Sequence, residues 1–442
     1  MRRIRSYGAL WASITLAILI ALAAACAPAA APTATPTKAP AATVPSVASS
    51  PTAAAKPATT SPAAAPTTAA SKPTGKPVKV AYLTPLTGRA GAYGHLQKLA
   101  VQMAIEDVNK AGGINGAPLE VVREDSPFDP KQAVTLVRKV AEQDKALMIF
   151  GPFSSGEFEV AAPLANELQV PLVNSVTGKA GIPAANRPWS FKSAMTEDKM
   201  LPVGIDALKK KYPNVKRVLI VGDTKEAVNE SIVKTVFPKL LKDAGFEVVD
   251  TLGFETGTAD FGPIVTKLKE INPDAIAYSS IGAEFLAFGK EIERQGVKIP
   301  ALTGTQAWAG PFIKQLGSAV DGWVAIGTFD KDDPDPAVKA WVARFDALKQ
   351  ADSGVAAKDT PATLELHIYD TIMAVADIMR KANITADMPL QEARTKIRDG
   401  FQNLKNYKGV RHTISITPTG DVEWQPLAFP LIAEKGDWKP LK

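Results

Sequence analysis

The sequence predicts an α/β protein built as two doubly wound parallel-sheet lobes. Short apolar runs alternate with amphipathic helical stretches from Val78 onward. The alternation runs to about Val173 and restarts after Tyr212. Some of the runs are continuously apolar, as strands buried on both faces require. Repeated βα units place parallel strands between two layers of helices, and two series of them give two lobes.

The first strand is Lys79-Val-Ala-Tyr-Leu83, ended by a Thr-Pro-Leu-Thr-Gly turn. Leu96, Leu99, Ala100, Met103, Ala104 and Val108 recur at three- and four-residue spacing, an amphipathic helix that Gly112-Gly113 ends. Leu119-Glu-Val-Val-Arg123 is the next strand, and Ala133, Val134, Val137, Val140 and Ala141 stripe a helix. The buried run Ala146-Leu-Met-Ile-Phe150, a helix through Val160 and Leu164, and the strand Val170-Pro-Leu-Val173 follow. The second series opens with Arg217-Val-Leu-Ile-Val221. Its first helix, Ile232 to Leu241, should kink or break at Pro238, which lacks an N–H. Phe246-Glu-Val-Val249, a helix over 261–271, Asp274-Ala-Ile-Ala-Tyr278, a helix over 283–295 and Ile299-Pro-Ala-Leu302 complete it. Helices over 336–350 and 361–383 and a hairpin around Thr417-Pro-Thr-Gly-Asp421 close the chain.

The N-terminal region is different in kind. Met1 to Arg5 is basic, and Ala9 to Ala25 is apolar apart from Ser13 and Thr15. Ala23-Ala24-Ala25 then precedes Cys26, the only cysteine. Small residues after a short apolar run mark a secretory signal, and a Cys after the cut resembles a bacterial lipoprotein signal. The competing reading, an uncleaved anchor, needs about 20 apolar residues, and the 17 of this run fall short. Residues 1–25 are therefore expected to be a signal peptide and Cys26 a lipidated residue. Of the 51 residues 27–77, 44 are Ala, Pro, Thr or Ser, and eleven are proline. Such a segment cannot bury enough apolar surface to offset its ordering entropy. Residues 26–77 read as a disordered tether, on the order of 150 Å long if extended at about 3.1 Å per residue. A filler segment glycosylated on Thr is the alternative, and both readings place the body outside the cytoplasm.

Charge argues against nucleic acid. The net charge is +6, but residues 1–77 hold seven Lys and Arg and no acid. The rest carries 44 basic against 45 acidic side chains, with no net basic footprint. One cysteine excludes an intramolecular disulfide and a Cys-rich zinc site. His95, His367 and His412 lie far apart in sequence, so no metal site and no cofactor is expected.

A series of motifs then appears in order: Leu86-Thr-Gly-Arg-Ala-Gly-Ala-Tyr-Gly94, Ala104-Ile-Glu-Asp-Val-Asn109, Gly112-Gly-Ile-Asn-Gly116, Asp125, Asp129-Pro-Lys-Gln-Ala133 and Ile149-Phe-Gly-Pro-Phe-Ser-Ser155. It resembles the N-terminal lobe of type I periplasmic binding proteins, closest to the Leu/Ile/Val-binding group that serves ATP-driven importers. Arg217 to Val221, Ala244-Gly-Phe, Phe261 and the closing Gly409-Val and Gly420-Asp421 extend the resemblance over 78–442. It implies two lobes joined by three crossing segments, near 192–196, 324–330 and 423–427, with ligand in the cleft. Lobe one is then expected over 78–193 plus 328–423, and lobe two over 194–327 plus 424–442. A monomer that delivers its solute to ABC permease subunits is expected, anchored to the membrane through lipid.

The cleft residues follow from sequence and resemblance together. Ser154-Ser155-Gly156 follows a buried strand and opens a helix, whose free N–H groups and partial positive charge suit a carboxylate. Either serine alone is also an ordinary N-cap. Asn174 to Gly178 ends the next strand and should line the same cleft, with Thr177 a donor. The resemblance puts Tyr93 over the ligand. In lobe two it implies acidic residues after Val221 and then a covering aromatic, where this chain has Asp223 and Ala227. It also implies a Glu that pairs with a ligand ammonium, where this chain reads Gln306, with Trp308 beyond. A neutral Gln306 leaves a buried ammonium unpaired unless Glu284 or Asp223 points inward. These departures favour a non-amino organic acid, with a flat ring between Tyr93 and Trp308 in the room left at Ala227, over leucine or valine.

The leading function is solute capture for an importer, a population shift between open and closed forms without covalent chemistry. A sensing receptor on the same fold is the second reading, although the sequence offers no output module. An enzyme needs a nucleophile with a nearby base or a metal cluster. Glu365 and His367, two apart, do not share a helix face well, and His367 reads more simply as a packing residue.

Overall fold

The computed structural model describes residues 72–308, 312–352 and 363–441. Cys26, the leader and most of the tether lie outside the described residues.

The first lobe begins with β1 (Val78–Thr84), α1 (Gly91–Lys110), β2 (Leu119–Asp125), α2 (Pro130–Arg138) and β3 (Ile149–Phe150). It continues through α3 (Ser155–Glu167), β4 (Leu172–Asn174), α4 (Ile182–Ala185) and β5 (Ser190–Lys192). The strands are parallel in the order β2-β1-β3-β4-β5. Five of the seven β1 residues from Val80 to Thr84 are buried without interruption, as a central parallel strand requires.

Serines and threonines at the edge of the lobe lead to α5 (Glu197–Lys211), a helix absent from the sequence reading. Its buried stripe is Met200, Leu201, Ile205 and Leu208, but Pro202 and Gly204 interrupt the pattern. Gly204 is needed there. A Cβ on it would stand 2.6 Å from Leu302 and 3.0 Å from Ile326, so the helix lies directly on the second sheet.

That sheet starts with β6 (Arg217–Asp223), α6 (Ala227–Ser231), α7 (Phe237–Asp243), β7 (Glu247–Phe254), α8 (Gly262–Ile271) and β8 (Ala275–Ser279). Next come α9 (Gly282–Arg294), β9 (Ala301–Thr303), α10 (Thr305–Trp308), α11 (Ile313–Leu316) and β10 (Val324–Gly327). The break expected at Pro238 falls just ahead of it. A wide i→i+5 turn over Ile232–Val236 separates α6 from α7, and Pro238 sits in the first turn of α7, where no helical N–H partner is needed.

The chain returns to the first lobe with α12 (Pro336–Ala351), α13 (Thr363–Lys381) and α14 (Leu390–Gln402), of which α12 and α13 pack on α1. A small sheet of β11 (Tyr407–Lys408), β12 (Thr413–Ile416) and β13 (Val422–Gln425) contains the hairpin expected at 417–421. Then β14 (Phe429–Glu434) and β15 (Asp437–Pro440) join the second sheet antiparallel, giving β15-β14-β10-β9-β8-β6-β7. The second passage between sheets therefore starts after β10, later than the expected 324, because Val324 to Gly327 pair with β14.

Helix α13 touches all three passages. Thr371 Oγ1 is hydrogen-bonded to Ser193 Oγ at 2.7 Å, His367 Nε2 lies 3.3 Å from Thr328 Oγ1, and the His367 ring packs at a tilt against Trp424 with centroids 4.1 Å apart. His367 is thus a buried packing residue. Burial, with His412 beside it, holds its imidazole well below the usual histidine range.

Candidate functional site

Both parallel sheets have the same local order, with the second strand in sequence outside the first and the third on its other side. The reversal opens a crevice beyond the carboxyl ends of β1 and β3 in one sheet and of β6 and β8 in the other. A cavity of about 60 Å³ sits there, lined from both sheets. That is room for on the order of five water-sized groups.

The lobe-one wall is rich in donors. Ser154 caps α3: its Oγ donates to Glu157 Oε2 at 2.8 Å, and Glu157 N–H donates back to Ser154 Oγ at 3.2 Å. Burial pushes the Glu157 carboxyl up, while Ser126 and Ser154 work against the shift. Both serines line the cavity, Ser154 with its hydroxyl engaged in the cap and Ser155 at the first position of α3. The Ser155 hydroxyl is hydrogen-bonded to that of Thr177, which also lines the cavity. Asn174 does not reach the cavity. Its Oδ1 accepts from Val176 N–H (2.8 Å) and Thr177 N–H (2.7 Å), and its Nδ2 donates to Pro152 O. Asn174 thus shapes the turn that presents Thr177.

The lobe-two wall supplies an acceptor that the sequence reading missed. Asp223 is fully buried and spent within its own turn. Its Oδ1 accepts from Lys225 N–H (2.8 Å) and Glu226 N–H (3.1 Å), and its Oδ2 from Thr256 (2.6 Å). Glu284 accepts from Gly257 N–H at 2.7 Å, and neither acid lines the cavity. The turn that consumes Asp223 delivers Glu226 to the cavity instead. Glu226 caps α6, with Oε2 accepting from Val228 N–H, Asn229 N–H and Asn229 Nδ2 at 3.1, 3.1 and 2.7 Å. It is the one charged residue among the described residues that line the cavity. Thr305, opening α10, completes this wall. Gln306 and Trp308 also lie in α10, and their side chains lie outside the described part of the structure.

The remaining lining is apolar. Tyr93 lines the cavity, with Phe153 at 5.8 Å and Phe312 at 6.0 Å between ring centroids, and Phe128 lies 5.5 Å from Phe153. Phe128 and Phe153 were not foreseen. Phe128 has φ +65°, a conformation that costs a bulky residue energy and that clusters at functional sites. Val176, Val228, Ile281 and Leu364 close the rest. The room expected at Ala227 is not there. A Cβ on Gly156 of α3 would lie 3.8 Å from Ala227 Cβ, so the small residue lets the two helix N-termini meet across the cleft.

The sequence that builds this cleft matches a family model over most of its length. The model of the periplasmic binding protein family covers residues 77–430. The chain belongs to that family. Its members are substrate-binding proteins rather than enzymes, and the family places this binding protein outside the cytoplasm. The binding protein is 26% identical over 364 residues to the leucine-, isoleucine-, valine-, threonine- and alanine-binding protein of Pseudomonas aeruginosa, covering 82% of this chain and 87% of the other. Its fold is similar to a leucine-binding protein of Thermotoga maritima (TM-score 0.71, 22% identity, 83% of this chain and 98% of the other). It is similar as well to a Rhodopseudomonas palustris solute-binding protein in complex with benzoate (TM-score 0.72, 18% identity, 83% and 96%). No helix among the described residues is long and apolar enough to cross a membrane. Among the same residues no group of three or more His, Cys, Asp or Glu could hold a metal ion.

Proposed function

We propose that this protein captures a small amino acid with an apolar side chain for an ABC importer, closing two lobes over it. The lobes are 78–193 plus 328–423 and 194–327 plus 424–442. The carboxylate lies on the Ser155 and Thr177 hydroxyls and the α3 N-terminus, and the side chain among Phe128, Phe153, Val228 and Ile281. Glu226 carries the reading. Glu226 offers an acceptor for a ligand ammonium on the wall opposite the Ser155 and Thr177 hydroxyls. A zwitterion satisfies both walls. This reverses the preference for a non-amino acid that the neutral Gln306 suggested. The names of the curated relatives support it.

An aromatic acid is the second reading, favoured by the Tyr93, Phe128 and Phe153 wall. Calorimetric titration with L-leucine, L-isoleucine, L-valine, benzoate and 4-hydroxybenzoate separates the two. Micromolar binding of an aliphatic amino acid with silent benzoates is expected, and the converse selects the aromatic acid. Ser155→Ala is expected to weaken the bound amino acid by about 1.5–3 kcal/mol, the range for a hydrogen bond to a charged group. A change within twofold would remove Ser155 from the site.

The protein is held at the membrane by lipid on Cys26, and the Ala/Pro/Thr-rich segment 26–77 spaces the binding lobes from it. Two acyl chains suffice for stable anchoring, where one is marginal. Cys26→Ser should lose lipid labelling and move the protein to the soluble fraction; retention on membranes would contradict the anchor.

A further inference from the structure

Behind the lobe-two wall stands a buried acid that no cleft contact uses. Glu197 opens α5, is 1% exposed, and meets the cavity only through its neighbours. Its N–H donates to Gly178 O at 2.9 Å, and a Cβ on Gly178 would stand 2.6 Å from Glu197 Cγ. Only a residue without a side chain fits between this acid and the cleft. On the other side, the Thr305 hydroxyl is hydrogen-bonded to Glu197 Oε1. Both Gly178 and Thr305 line the cavity.

We propose that Glu197 is a positioning residue that sets whether the Thr305 hydroxyl meets the ligand as an acceptor or as a donor. A threonine hydroxyl has one proton and two lone pairs. An ionised Glu197 only accepts, so it takes the Thr305 proton and leaves a lone pair facing the cavity. A protonated Glu197 donates to Thr305 and frees the threonine proton to face the ligand. The ionised state thus adds a second acceptor to the wall that carries Glu226, and the protonated state turns a donor toward the same ammonium. This rests on the reading that an ammonium lies on the lobe-two wall.

The switch falls within an accessible pH range. Burial pushes Glu197 up to about 6, against the opposing pull of the Thr305 hydroxyl and backbone N–H and of Lys192; the neighbouring Asp198 adds to the rise. Lys192, fully buried on β5, is itself pushed down by burial to about 8, with Asp421, Asp198 and Glu197 holding it up and Lys199 adding to the fall. It donates to Lys179 O at 2.9 Å. The leucine carboxyl stays ionised from pH 5 to 8, and loss of the ammonium proton would weaken binding as pH rises, opposite in sign to the effect expected here, so weaker binding at pH 5 reports on the protein.

The test is L-leucine affinity by calorimetry on the full-length protein from pH 5 to 8, with Glu197→Gln, Thr305→Val and the double variant. The wild type should bind about three- to tenfold more weakly at pH 5 than at pH 7.5, the worth of one hydrogen bond. Each single variant should flatten the profile, and the double variant should differ little from Thr305→Val. A pH dependence retained in Glu197→Gln, or a flat wild-type profile, overturns the proposal. If leucine does not bind at any pH, the amino-acid reading fails instead. The unliganded protein then decides the relay, by carbon NMR titration of the Glu197 carboxyl. It should titrate near 6 and rise by about one pH unit in Thr305→Val, since the lost donor favoured the ionised form. Titration in the ordinary glutamate range, unmoved by Thr305→Val, overturns it.

Discussion

Glu226→Gln should lower the affinity for L-leucine by about 2–5 kcal/mol, the cost of removing one partner of a buried charge pair. The same substitution should change benzoate affinity much less. Glu226 lines the cavity, so neutralising it strips the counter-charge from an ammonium, a group that benzoate lacks. The glutamine keeps an oxygen able to accept the N–H bonds that cap α6, which limits the structural cost. Calorimetry on both ligands measures the two effects. Equal losses for leucine and benzoate would mean that the variant damages the fold, and an unchanged leucine affinity would place the ammonium elsewhere.

Stability should fall as pH rises from about 5 to 8, and Glu365→Gln should remove much of that fall. Glu365 lies on α13 beside the cavity residue Leu364, is fully buried, and has no hydrogen-bond partner for either oxygen among the described residues. Burial pushes its carboxyl from 4.5 up to about 8, with Lys349 opposing. A folded-state pKa above the unfolded value gives stability that is present below the unfolded pKa and lost as pH rises through the folded one. Asp370, pushed up to about 7 by burial, acts in the same direction. His412, pushed down to about 4, acts only on the acid side, where stability is lost as pH falls. Urea unfolding at pH 5.5 and 8.5 reads the difference. The variant should resemble wild type at pH 5.5 and exceed it at pH 8.5 by an amount on the order of a few kcal/mol. Equal pH dependence in the two proteins would show that Glu365 does not titrate in the folded state.

The alternation of strands and helices was legible because burial on both faces forces continuous apolar runs, and Val218 to Val221 and Ala275 to Tyr278 are buried as read. Helix α5 was not legible. Its Pro202 and Gly204 weaken the helical pattern, and the reason for Gly204, contact with Leu302 and Ile326, lies in another part of the chain. The donor wall was legible from strand, serines and helix in local order, and Ser154 and Ser155 both line the cavity. Which serine is tied up in the helix cap was not, since that depends on Ser154 pairing with Glu157 three residues on. The acid was missed for a similar reason. In Asp223-Thr-Lys-Glu226 both acids are candidates, and only the turn hydrogen bonds from Lys225 and Glu226 show that Asp223 is spent and Glu226 is presented. Phe128 gives no signal in sequence, because its place in the wall depends on a left-handed backbone that phenylalanine seldom adopts.

In the proposed complex, one small cleft holds a zwitterion between the Ser155–Thr177 hydroxyls and Glu226. A crystal structure of the protein grown with L-leucine tests it most directly. The account predicts the leucine carboxylate within hydrogen-bonding distance of Ser155 Oγ and Thr177 Oγ1, and the ammonium within the same reach of a Glu226 carboxylate oxygen. Leucine bound with its ammonium away from Glu226, or bound outside the cleft, would contradict it.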